Sequence, residues 1–76
     1  MESTMEMITV KVKRDDIFTL IKRLVDNSAE THFDYDRKTK VCTMLYYNGI
    51  KASWTTDETT IMVIDTKHNI KYEVEN

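Results

Sequence analysis

The stretch Tyr47-Asn48-Gly49-Ile50, lying between two apolar-rich runs, constrains this chain more than any other. Asn-Gly flanked by alternating apolar residues is a strong hairpin signal, because a type I′ turn needs positive φ at both central positions. A two-residue turn predicts a hairpin from Lys40 to Asp57. It sets Tyr47 opposite Ile50, Leu45 opposite Ala52, Thr43 opposite Trp54 and Val41 opposite Thr56. Opposed residues share a sheet face. One side then holds Val41, Leu45, Tyr47, Ile50, Ala52 and Trp54, and the other holds Cys42, Met44, Tyr46, Lys51, Ser53 and Thr55. Lys40 opposite Asp57 closes the open end with a charge pair.

The rest of the chain is read outward from this hairpin. Residues 1–6 are expected to be a loose lead-in. Ile8, Val10 and Val12 alternate with Thr9, Lys11 and Lys13, the period of a half-buried strand over Met7 to Lys13. Ile17, Leu20, Ile21, Leu24 and Val25 then fall on one helical stripe, with Phe18 at its edge. Asp15 or Asp16 is the expected N-cap, and Asn27 the expected left-handed stop. From Thr31 the period returns to two, with Phe33 and Tyr35 apolar, and Asp36-Arg37-Lys38-Thr39 reads as a turn. After the central hairpin, Thr56-Asp57-Glu58-Thr59 connects to a strand in which Ile61 opposes Trp54 and Val63 opposes Ala52. A four-residue loop at Thr66–Asn69 would pair Val63 with Tyr72 and Ile61 with Val74. A three-residue loop would pair Ile64 with Tyr72 instead. The first is preferred, because it puts Ile70, Tyr72 and Val74 on the face already assigned to the core.

This order predicts an α+β fold: one helix packed on one face of an antiparallel sheet, β-α-β-β-β-β-β, ending in a meander. The helix stripe is expected to cover Ile8, Val10, Val12, Phe33, Tyr35, Leu45, Trp54, Val63 and Tyr72. The first strand could pair with the last strand or with the second. At 76 residues the chain is expected to be one domain, near the lower size limit for a self-sufficient core. A lone Cys makes no internal disulfide, which favours a cytoplasmic setting. No apolar run approaches membrane-spanning length, and Met1-Glu2-Ser3-Thr4 is unlike a signal peptide.

Chemistry-bearing residues are few. Cys42, His32 and His68 are the only candidates for a thiol nucleophile with a base, and their separation shows no zinc-ligand spacing. Asp34-Tyr35-Asp36 lacks the Gly and the terminal Glu of a calcium loop. A single Gly rules out a Gly-rich phosphate loop. The expectation is therefore a non-enzyme with no cofactor and no metal.

Net charge is -2, balanced over residues 1–40 and slightly acidic beyond them, without the basic excess that non-specific nucleic-acid binding needs. The outer sheet face draws the functional reading. Met44, Tyr46, Met62 and Ile64, bordered by Lys51, Lys11 and Lys13, would form an apolar patch with a charged rim, the usual mark of a contact surface. The expectation is a small non-catalytic protein-binding module, with a protein partner or a second copy as its ligand. In its style, compact and nearly free of Gly and Pro, the chain resembles the small accessory proteins that phages and viruses use to bind and inhibit host proteins. The alternative is an RNA or single-stranded-DNA binder using Tyr46 beside Lys51, with Lys11 and Lys13.

Overall fold

The two-residue alternation at the start of the chain produces β1 (Ile8–Lys13), and the helical stripe produces α1 (Arg14–Val25). Five strands follow: β2 (Glu30–Asp36), β3 (Val41–Tyr46), β4 (Ile50–Thr55), β5 (Ile61–Asp65) and β6 (Ile70–Glu75). This computed structural model describes residues 6–75, so most of the expected lead-in lies outside the described residues. The fold is α+β, with the helix on one face of a six-stranded sheet ordered β1-β6-β5-β4-β3-β2. Each of β2 to β5 runs antiparallel to the next. The first strand joins the last in parallel, with Ile8 beside Ile70 and Val12 beside Val74.

Helix α1 starts without a side-chain cap, directly after extended Lys13. Asp15 and Asp16 stand inside the first turn, not at the N-cap, and complement the helix dipole from there. Arg14 instead anchors this end, donating to the backbone carbonyls of Glu58 and Thr59 in the β4–β5 turn. At the other end both Asp26 (φ 46°) and Asn27 (φ 65°) are left-handed. The stop therefore falls one residue earlier than expected.

The central hairpin departs from expectation by one residue. Met44 opposes Ala52, Thr43 opposes Ser53, Cys42 opposes Trp54 and Val41 opposes Thr55. The loop is Tyr47-Asn48-Gly49: the Gly49 N–H donates to the Tyr46 carbonyl (3.1 Å), and only Gly49 is left-handed, at φ 89°. This is a type I turn followed by a left-handed Gly, the common three-residue hairpin. The cause is Asn48. Its side-chain amide donates to the Leu24 and Val25 carbonyls at the end of α1 (2.9 and 3.1 Å), and its oxygen accepts the Ile50 N–H (3.3 Å). Its own N–H donates to the Ser28 hydroxyl (3.0 Å). A one-residue shift moves every β3 side chain to the other face. Cys42, Met44 and Tyr46 thus lie on the helix side, and Val41, Thr43 and Leu45 face outward. The expected Lys40–Asp57 pair does not form. The Lys40 carbonyl accepts the Thr56 N–H, while Asp57 accepts from Thr55 and Thr59.

The later pairings follow the expected register. Trp54 opposes Ile61, Ala52 opposes Val63, and Val63 opposes Tyr72 across the four-residue Thr66–Asn69 loop. Gly49 meets this loop closely. Its carbonyl accepts the Thr66 hydroxyl (2.7 Å), and a Cβ at Gly49 would stand 2.6 Å from that oxygen.

The core is Ile17, Ile50, Ala52, Ile61, Val63 and Val74, ringed by Val12, Leu20, Ile21, Leu24, Val25, Tyr46, Trp54 and Tyr72. Each fully buried aliphatic side chain contributes roughly 1.5–3 kcal/mol. The main packing of the helix is on β1, β6, β5 and β4. Geometry explains why it stops there. The helix N-terminus is tied to the β4–β5 turn through Arg14, and its C-terminus to the β3–β4 turn through Asn48. The helix therefore runs from one end of β4 to the other. Its width of about 10 Å covers only part of a sheet whose outer strands stand about 24 Å apart. The β2–β3 hairpin projects past the helix, and every residue of β2 is exposed.

Candidate contact surface

The corrected register divides the residues expected to form one patch. Lys11, Lys13, Lys51, Met62 and Ile64 lie on the outer face; Met44 and Tyr46 lie on the helix side, where Tyr46 packs against the core. On the outer face, Val41 and Leu45 join Met62 and Ile64, but polar groups interleave them. One row reads Leu45, Lys51, Ile64, Lys71, and the next reads Thr43, Ser53, Met62, Glu73, Lys11. The Thr43 and Ser53 hydroxyls lie 3.4 Å apart. Glu73 accepts from Lys11 at 2.8 Å and stands 3.2 Å from Lys71. These two ammonium groups, Lys11 first, hold its carboxyl below the usual glutamate value. Tyr46 and Lys51, the aromatic–cation pair expected for nucleic-acid binding, are on opposite faces.

The larger apolar exposure lies on the other side of the sheet, beside the helix. Phe18 is 50% exposed, Phe33 52% and Tyr35 44%. Leu20 faces a cleft lined by Val10, Val12 and Tyr72 on the β1 flank. Phe18, about 160° away around the helix, therefore points to the opposite flank. Phe33 and Tyr35 share that face with Met44 and Cys42, which they oppose. The Phe33 ring lies 6.5 Å from Trp54, tilted by 44°. Phe33, Tyr35, Met44 and Trp54 thus form one apolar shelf on the sheet face that carries the helix, and Phe18 is exposed on the helix flank away from β1. Beside the shelf runs β2, an edge strand with no neighbour beyond it. The sequence signal for this shelf lies in Phe18, Phe33 and Tyr35, whose spacing is that of core or core-margin residues. Phe33 and Tyr35 are exposed because the helix lies over β1, β6, β5 and β4 and not over β2.

The remaining chemistry-bearing residues are dispersed. His68 stands beside Asp65, Nδ1 to carboxylate 2.8 Å, and its N–H donates to the same carboxylate (3.2 Å). Asp65 is 5% exposed. Burial, its largest single influence, pushes its carboxyl up. The hydrogen bonds and charge of His68, with the Lys67 N–H, outweigh that and leave it below the ordinary value. The shallow cleft of about 370 Å³ beside this pair is lined by Arg23, Leu24, Asp26, Asn48, Ile50 and Lys67, with no hydroxyl or thiol among them. The pair staples the β5–β6 turn. Asp36 likewise serves its own turn, accepting the Lys38 and Thr39 N–H groups at 2.8 and 3.2 Å. Among the described residues, no three His, Cys, Asp or Glu side chains converge as a metal site. No helix among them is long and apolar enough to cross a membrane. The chain matches no protein family, no curated protein and no solved structure.

Proposed function

We propose that this chain is a small non-catalytic protein-binding module whose contact surface is the helix-side shelf together with Phe18, not the outer face. The observation that carries this reading is the exposure of Phe18, Phe33 and Tyr35 beside an edge strand. Large aromatic side chains left half in water have not been used by folding, and a contiguous apolar surface beside an open strand edge suits docking of another polypeptide. In the accessory role suggested by its style, such a module acts by covering a host protein's surface, and needs no reacting group. Capture from a lysate of the source cell tests the site. Phe18→Lys is expected to lose the species that the wild type retains, and the outer-face variant Met62→Lys to keep it. Retention unchanged by Phe18→Lys removes the shelf as the site.

A further inference from the structure

The two edges of the sheet are unlike. β1 carries Lys11 and Lys13 on its outer face, and lysines on an edge strand discourage further pairing. β2, with the sequence Glu-Thr-His-Phe-Asp-Tyr-Asp, has no Lys, Arg, Pro or Gly, and all seven of its residues are exposed. His32 and Asp34 project on its outer face. Among the described residues no hydrogen bond or ion pair engages either side chain.

We propose that β2 pairs antiparallel with β2 of a second copy, about a two-fold axis at Phe33. The inference rests on the protein-binding reading and names the occupant of its open edge. The register follows from charge. With Phe33 opposite Phe33 of the second copy, His32 stands opposite Asp34 of that copy, and Asp34 opposite its His32. Two imidazole–carboxylate pairs form, because a two-fold interface repeats each contact. Centring the axis on Asp34 instead sets that carboxylate against itself. It also offers His32 only Asp36, whose Oδ1 already accepts two backbone N–H groups. The bulge between Glu30 and His32 interrupts the ladder before Glu30 reaches Asp36 of the other copy. An antiparallel pair about this axis keeps both helices on the same side. Two six-stranded sheets then become one, and the two apolar shelves meet at the Phe33 pair.

Sedimentation equilibrium of the full chain, from micromolar to millimolar concentration, tests the pairing. The mass is expected to rise from 9.0 kDa to twice that value and stop. His32→Asp opposes carboxylates at both pairs and weakens the dimer by about tenfold. Asp34→His removes both attractions and weakens it too. The exchanged double variant His32→Asp/Asp34→His restores the wild-type dimer. A chain that stays monomeric throughout overturns the proposal, as does a double variant no tighter than the singles. Growth beyond two copies overturns it in favour of β2 pairing with β1 of the next molecule, an open-ended array. Phe18→Lys separates this proposal from the one beneath it. A monomeric wild type with Phe18-dependent capture overturns the pairing alone. An intact dimer with Phe18-independent capture overturns the shelf reading alone.

Discussion

The Asn48 carboxamide gives both of its donors to one helix end, the Leu24 and Val25 carbonyls. No residue of the helix itself can satisfy those groups. Asn48→Ala is expected to cost about 1–3 kcal/mol, since it leaves the Leu24 carbonyl without this donor in a part-buried place, while the Val25 carbonyl keeps the Ser28 N–H. Asn48→Asp is expected to cost more, because it also brings negative charge to the negative end of the helix dipole. Thermal melts at neutral pH check both, at roughly 4–8 °C per kcal/mol for a chain of this size. An Asp variant as stable as the wild type would contradict the clamp. The Asn-Gly pair was legible as a turn from local chemistry. The destination of the Asn side chain was not, because it depends on a helix end more than twenty residues away. Asp65 gives a second expectation at this scale. Its folded-state carboxyl lies below the ordinary value of 3.8, so its contribution is present above that pH and fades as the pH falls below it. Acid titration of stability is expected to be shallower in Asp65→Asn than in the wild type, and equal slopes would refute it.

β3 shows how far one element's pattern can inform. Its two faces read Val41, Thr43, Leu45 and Cys42, Met44, Tyr46. Both are apolar enough to face a core, so alternation alone could not choose between them, and the turn decided. β5 was different. Ile61 and Val63 were tied to the core through Trp54 and Ala52, and the structure keeps those pairs. The consequence for β3 is measurable. Leu45→Lys is expected to remain folded, its ammonium reaching water from the open outer face. Tyr46→Lys is expected to lose stability, since it drives a charge toward the packed side of the sheet. Urea midpoints in the opposite order would restore the two-residue turn. The shelf was hidden from sequence for a related reason. Phe33 and Tyr35 have the alternation of buried residues, and their exposure depends on which strands a helix built elsewhere in the chain comes to lie over.

Across the whole molecule, the strand order separates near partners from far ones. β2 through β5 are each paired with the next strand in sequence, so their contacts close short loops. The β1–β6 pairing is different in kind, because Ile8 and Ile70 stand at opposite ends of the described chain. Joining such distant segments costs conformational entropy that only the finished core returns. The parallel pairing that completes the sheet is therefore suited to be the last event of folding, with the helix settling as β1 docks. The kinetic signature is a transition state built around the β3–β4–β5 meander. Val63→Ala is expected to slow folding, whereas Val12→Ala mainly speeds unfolding. The reverse assignment would make the parallel pair the nucleus. On this view the earliest of these six strands in the chain is the last to find its place, and until it does, the edge of β6 stands open.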